Sequence, residues 1–233
     1  MTEALFRDDA YLKSCDATVA AADDDGIVLD RTVFYPEGGG QPGDRGVLLG
    51  KDGARFNVTG ARKREDGAIV HVLEGGSPRP ATGTSLEAAI AWDYRYRHMR
   101  THTCLHLLCA LIPFPVTGGS ISQDKGRLDF DMTEGVDKAQ VQADLRRLVE
   151  EDHAVGFRWI TDEEMRENMD LVRTMSVAPP LGLGRVRLVD VEGTDLQPCG
   201  GTHVARTGEI GEVRIGKVEK KGKHNRRVNL HLD

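Results

Sequence analysis

The sequence predicts an α+β protein in two parts: a small antiparallel β-barrel over residues 1–90 and an α+β domain over residues 91–233. Three observations predict it. Short β-prone runs, punctuated by glycine and aspartate, fill the first part. The texture changes at Asp93, after which a helical periodicity sets in. Beyond that helix the strands come in groups rather than alternating with helices, which points to α+β rather than α/β.

In the first part, residues 17–20, 26–30, 31–35, 46–49, 56–58 and 68–73 are the β-prone runs, and residues 85–92 add a last strand. Strands at this spacing suit a small antiparallel barrel. Between two of them stands Tyr35-Pro36-Glu37-Gly38-Gly39-Gly40-Gln41-Pro42-Gly43-Asp44. Gly38, Gly39 and Gly40 permit positive φ and close backbone approach. The segment lacks the Gly-Lys-Ser/Thr ending of a phosphate loop, so it reads as a tight inter-strand turn.

In the second part, residues 97–111 are apolar on one face, carry three histidines, and stop at Pro113 and Pro115. Residues 117–122 read as a loop entering an alternating strand over 127–132. Val141, Leu145, Leu148 and Val149 recur at helical spacing within 137–152. Thr161 and Glu164 form a capping box that opens a short helix to about Asn168. Residues 185–191 read as a strand, 199–203 as a turn, and 210–218 and 226–232 as two closing strands joined by a basic turn over 220–225. No internal repeat is visible.

Composition bounds the function. The chain is 39% hydrophobic and 29% charged, ordinary for a globular protein. It has no apolar run near the roughly 20 residues that cross a bilayer. Its N-terminus has no basic segment leading into an apolar one, so no secretion signal and no membrane association are expected. Cys15, Cys104, Cys109 and Cys199 form no disulfide framework, and a thiol with histidines at ligand spacing favours a reducing, cytoplasmic setting. A net charge of −6 argues against bulk electrostatic capture of nucleic acid. Two local basic clusters remain, Arg95, Arg97 and Arg100 ahead of the histidines, and Lys217, Lys220, Lys221, Lys223, Arg226 and Arg227 near the C-terminus. By charge count alone both read as solvated surface.

The chemistry lies in two distant stretches. His102 and His106 are four apart, one above the other on a helical face, where two imidazoles can share a metal ion. Cys199-Gly200-Gly201-Thr202-His203 offers a thiol and another imidazole beside two flexible glycines. Three imidazoles and a thiolate match the ligand preference of zinc. His98 extends the helical row, yet at 1.5 Å per residue it lies about 12 Å from His106, too far to share an ion. Spacing therefore leaves two pairs open, 98/102 and 102/106. Cys104 lies about 200° around the helix from His102 and should face away, while Cys109, three residues beyond His106, lies within reach.

Taken together, the Tyr35–Gln41 segment, His102-Thr103-Cys104-Leu105-His106 and Cys199-Gly200-Gly201-Thr202-His203, in that order, resemble the alanyl-tRNA editing proteins, free-standing relatives of the alanyl-tRNA synthetase editing domain. The resemblance covers most of the chain. It implies a second part folded as the editing domain of the threonyl/alanyl-tRNA synthetase type, and the longer form of the family, because the barrel with its triple glycine is present. It implies His102, His106, Cys199 and His203 as the four ligands of a Zn2+ ion. The implied activity is hydrolysis of mischarged alanine tRNA, chiefly seryl and secondarily glycyl esters, at its acceptor end. No residues are left over to bind ATP and activate an amino acid. Alignment with the family's loop offers Thr117 and Ser120 for substrate recognition, and Gly38–Gly40 as a wall of the editing cleft or a contact to the tRNA end; Lys220, Lys221 and Lys223 are candidates for phosphate. Two other readings compete: a tRNA-binding module with a structural zinc, and a zinc hydrolase of a small ester or amide. Four protein ligands usually close a structural zinc, whereas a catalytic one keeps a position open.

Overall fold

The computed structural model describes residues 2–175, 178–179, 181–182 and 184–233, in two units, Met1–Tyr96 and Arg97–Asp233. The strands of the first unit are β1 (Glu3–Ala4), β2 (Ser14–Asp23), β3 (Gly26–Leu29), β4 (Arg31–Thr32), β5 (Gly46–Gly50), β6 (Arg55–Lys63), β7 (Ile69–Leu73) and β8 (Ser85–Ile90). Six of them close a barrel in the order β2-β3-β7-β6-β5-β8, each pairing antiparallel. Closure leaves no free edge. Period-two burial explains it: Phe56 and Val58 of β6 and Leu86, Ala88 and Ile90 of β8 point inward, while Arg55, Asn57, Ser85 and Glu87 are exposed. These side chains meet Val19, Ile27, Leu29, Phe34 and Leu48 in one core.

Residues 31–35 yield a strand only at β4, which pairs parallel with β1. The backbone beyond it is claimed by side chains. The amide of Phe34 donates to Thr32 Oγ1 (3.0 Å) and that of Tyr35 to Asp44 Oδ2 (2.6 Å). The triple glycine makes a tight reversal, with Gly38 N donating to Gln41 O (3.1 Å) and Gln41 N to Gly38 O (2.9 Å). Its central residues, Gly39 (φ 58°) and Gly40 (φ 80°), occupy the left-handed region that a type I′ turn demands. The Tyr35 hydroxyl donates to Gly38 O (2.8 Å), leaving Gly39 and Gly40 as an exposed tip.

Helix α1 (Trp92–Leu111) starts five residues before the predicted 97–111. The rings of Trp92 and Tyr96, one turn apart, stack at 5.4 Å, and Asp93 sits in the first turn, where a negative charge suits the helix dipole. Arg95, expected on the surface, is wholly buried. Its guanidinium pairs with Asp44 and donates to Val33 O (2.6 Å) and Ala10 O (2.9 Å), so it fastens the chain on both sides of the glycine turn.

The second unit continues α1 and adds β9 (Val116–Ile121), β10 (Lys125–Asp131), α2 (Lys138–Glu150), β11 (Val155–Thr161), α3 (Asp162–Glu167), β12 (Arg185–Val191), β13 (Asp195–Pro198), β14 (Val213–Gly222) and β15 (Asn225–Leu232). One antiparallel sheet runs β14-β15-β10-β9 and another β11-β12-β13. The predicted capping box is present, with Thr161 and Glu164 capping reciprocally, and Asp137 caps α2 by accepting from the amides of Ala139 and Gln140. The expected loop over 117–122 is strand β9 instead, because Gly118 and Gly119 pair with Asp129 and Leu128. A Cβ on Gly119 would lie 3.1 Å from the Leu128 side chain, so the glycine is a packing choice rather than a loop signal. The expected basic turn is also mostly strand: β14 runs to Gly222, leaving only Lys223 and His224 between the strands. Lys220 and Lys221 therefore point to opposite faces.

Gly126 of β10 brings α1 onto its sheet. A Cβ there would meet Thr101 Cγ2 at 3.0 Å and Leu105 Cδ2 at 3.2 Å, so the bare backbone lets the helix lie flush. Arg100 locks the other side by donating to Ile210 O (2.9 and 2.6 Å) and Asp233 O (2.9 Å), and Arg97 pairs with Asp124 (2.7 Å). The basic residues ahead of the histidines are thus mostly structural. Among the described residues no helix is long and apolar enough to cross a membrane.

Candidate metal centre

The helix period stacks His102 over His106, and their rings sit 5.3 Å apart. The turn after β13 brings in Cys199 and His203. One ligand atom from each of the four lies within 4.8 Å of all the others. Cys199 Sγ is 3.5 Å from His102 Nε2 and 3.4 Å from His203 Nε2. Tetrahedral zinc with ordinary Zn–N and Zn–S lengths sets its ligand atoms about 3.3–3.6 Å apart, and both sulfur–imidazole distances fit that spacing. His98 and Cys109 are not in the cluster. Both are buried, as is Cys104; burial holds the Cys104 and Cys109 thiols up at about 12, so they stay protonated.

A second tier of side chains orients the imidazoles. His106 Nδ1 lies 2.9 Å from Asp195 Oδ2, and both side chains are buried. The carboxylate can only accept, so Nδ1 bears the proton and Nε2 is left as the ligand atom. The Gln197 amide nitrogen, 3.1 Å from His106 Nδ1 but 2.7 Å from Asp195 Oδ2, donates to the carboxylate. Thr103 Oγ1 accepts from Val204 N (3.2 Å) and lies 3.1 Å from His203 Nδ1, which directs Nε2 of that ring to the cluster. The ligand turn is clamped by Arg187, which donates to Cys199 O and Gly201 O at 3.1 Å each, and Gly201 N points at the sulfur (3.4 Å).

Electrostatics agree with this geometry. Burial opposes the Cys199 thiolate, yet the imidazoles of His102 and His203 outweigh it and hold the thiol well below its ordinary value. Burial likewise opposes a charged His106, but Asp195 and Cys199 beside it raise it to about 9. Burial, then the neighbouring His102, push His203 well below its ordinary value, which leaves a neutral ring with a free lone pair. The centre thus gathers a thiolate and a carboxylate whose Oδ1 has no hydrogen-bond partner. Among the described residues no lysine or arginine pairs with Asp195. A divalent cation could take the place of the His106 proton in balancing these two anions.

The sequence singled out the four ligands and missed Thr103, Arg187, Asp195 and Gln197. Asp195, Gln197 and Cys199 share an i, i+2, i+4 spacing, the signature of one strand face, but Asp-Leu-Gln-Pro does not read as a strand. Thr117 and Ser120 stand on β9. The Thr117 hydroxyl donates to Asp129 O (3.1 Å) and accepts from Asn225 Nδ2 (3.1 Å). Ser120 pairs with Arg127, hence on the sheet face turned away from Gly126 and α1. Gly38, Gly39 and Gly40 belong to the first unit. Lys220, Lys221 and Lys223 are exposed on the β14–β15 hairpin, Lys221 paired with Glu219 (3.1 Å).

Residues 4–94 match the class II (A) tRNA synthetases, and residues 186–229 match the threonyl and alanyl tRNA synthetase second additional domain. The chain is 38% identical to the alanyl-tRNA editing protein AlaX-M of Methanosarcina mazei, over 100% of this chain and 97% of that protein. It is 32% identical to AlaX-M of Pyrococcus horikoshii, over 100% and 99% respectively. The alanine–tRNA ligase of Pyrococcus furiosus is 34% identical over 94% of this chain, which corresponds to 24% of the ligase.

Proposed function

The chain belongs to the alanyl-tRNA editing proteins, and on that premise we propose that it hydrolyses the ester of mischarged alanine tRNA, chiefly seryl and secondarily glycyl, at a zinc site. One observation carries the reading: the four donors of His102, His106, Cys199 and His203 lie within 4.8 Å of one another. When bound there, zinc supplies a Lewis acid for an ester carbonyl and for water. The chain's own residues supply the rest. Asp195 holds the His106 proton on Nδ1, Thr103 orients His203, and Arg187 fixes the carbonyls of the ligand turn. A pocket that fits alanine rejects an added hydroxyl or a lost methyl poorly, which is the chemical reason for such hydrolysis to exist.

Thr117 and Ser120, on the strand that follows α1, are proposed for recognition of the serine side chain. The exposed glycine tip and Lys220, Lys221 and Lys223 are proposed as tRNA contacts. A second reading, a structural zinc in an RNA-binding module, draws on the count of four protein ligands, which fills a tetrahedral shell.

Purified protein of measured zinc content should hydrolyse seryl-tRNA, leave alanyl-tRNA intact and ignore a free serine ester. Binding of tRNA without turnover would favour the second reading, and cleavage of the free ester would favour a small-molecule hydrolase. A His106→Ala variant that keeps its fold and full activity would overturn the metal-centred reading.

A further inference from the structure

We propose that one face of the β11-β12-β13 sheet is a stacking platform for the unpaired 3′ end of an RNA, built from Phe157, Trp159 and Arg185 and supported by the buried Arg187. This rests on the reading of the chain as an aminoacyl-tRNA hydrolase. The register places the platform. Trp159 pairs with Arg187, Phe157 with Val189, Val189 with Gln197, and Val191 with Asp195. Directly paired residues share a face, so the two aromatics lie on the same side of the sheet as Asp195 and Gln197, which hold His106. The other side is filled by its own core of Met165, Val186 and Leu188 with Ile160 and Leu196, and cannot take the rings.

Phe157 is 39% exposed, unusual for so large an apolar side chain. Each ring carries an arginine: Arg187 stands 4.5 Å from the Phe157 centroid and Arg185 4.3 Å from that of Trp159. Flat aromatics interleaved with guanidinium planes are what unstacked bases pack on, and exposed Arg185 offers a charge for phosphate. Arg187 also holds the carbonyls of Cys199 and Gly201, so the strip is continuous with the metal ligands. From Gln197 to Phe157 are two inter-strand steps, about 10 Å. That is roughly three stacked nucleotides at about 3.4 Å each. A flexible nucleotide tail that ends in an ester at the ligands can lie along this strip. With a net charge of −6, RNA binding has to rely on local surfaces, of which this strip is one beside the hairpin lysines.

The test uses the full chain. Trp92 and Trp159 are its two tryptophans, so Trp92→Phe leaves Trp159 as the reporter. An uncharged single-stranded RNA ending in CCA should quench its fluorescence. Phe157→Ala with Trp159→Ala should raise KM for seryl-tRNA about ten- to hundredfold while kcat and zinc content hold, and Phe157→Tyr with Trp159→Phe should restore KM. A KM within twofold of the parent, or a loss that follows kcat and zinc content, overturns the platform. So does a dimer that the double alanine variant dissociates, since the face would then belong to a second copy. If the parent deacylates but the oligonucleotide leaves the fluorescence unchanged, the platform fails alone. If the parent deacylates nothing yet quenches, the enzymatic reading fails and the platform stands.

Discussion

Replacing Asp195 with asparagine should weaken zinc binding without unfolding the protein. The side chain is fully buried, and its Oδ2 accepts from His106 Nδ1 at 2.9 Å and from Gln197 at 2.7 Å. Asparagine keeps the shape and one acceptor oxygen, and removes the negative charge that makes the imidazole a better donor to a cation. Loss of such an outer partner typically costs 10–100-fold in metal affinity. That corresponds to about 1.4–2.7 kcal/mol. The new amide NH2 would take the place of Oδ1, which has no hydrogen-bond partner, adding a desolvation cost of about 1–3 kcal/mol. This second cost burdens the metal-free and metal-loaded forms alike, so it lowers stability and largely cancels from the affinity. Competition against a chromophoric chelator measures the affinity, and circular dichroism of both forms reports the fold. A zinc affinity within twofold of the parent, with the fold intact, would refute the assignment of Asp195 to His106.

Three further outcomes follow from the geometry. Asp44→Ala leaves the wholly buried Arg95 without its carboxylate and should destabilise the first unit by about 3–5 kcal/mol, read by denaturant unfolding. Gly126→Val forces side-chain atoms into Thr101 and Leu105, already 3.0 and 3.2 Å from an added Cβ; it should cost about 1–3 kcal/mol and lower zinc affinity by tilting α1, checked by thermal unfolding and chelator titration. His71 is fully buried, with Nδ1 donating to Ile27 O (2.9 Å) and Nε2 accepting from Thr32 (2.8 Å), and burial pushes it down from 6.5 to about 4. Its folded value lies below its unfolded one, so the unfolded chain takes the proton first. The associated stability is complete above about pH 6.5 and is lost as pH falls towards about 4, by at most about 3 kcal/mol. Urea unfolding between pH 7 and pH 4.5 should show that decline, and His71→Leu should flatten it.

Spacing narrowed the helical donors to 98/102 or 102/106 and the resemblance selected the second, because an i, i+4 pair on a helix and a Cys-Gly-Gly-Thr-His turn are local patterns. The barrel was legible for the same reason, since strands such as β6 and β8 alternate cleanly between core and solvent. What escaped depends on register. Strand β11 is largely exposed along its length and carries no alternation to detect, although it pairs with β12 over seven residues. Strand β13 is four residues ending in proline, a poor strand by composition, yet it delivers Asp195 and Gln197 to His106. Arg95 sat in a basic run whose members are chemically alike. Only the fold separates the one that meets Asp44 from those that meet Ile210 and Asp124.

The charges at the centre give the two remote stretches a shared electrostatic need. Without a cation, holding Asp195 and a Cys199 thiolate out of water would be costly, and protons on the imidazoles offset that cost only at the expense of the lone pairs that would bind metal. A divalent ion would neutralise both anions and leave the His106 and His203 rings with Nδ1 protons that Asp195 and Thr103 can hold. The carboxylate that orients one ligand therefore also raises the need for the ion. Cys199→Ser should accordingly lose zinc more severely than Asp195→Asn, because it removes a soft, charged donor from the cluster itself rather than a partner one bond removed. Comparison of the two affinities by the same chelator titration would decide it, and equal losses would sink the argument.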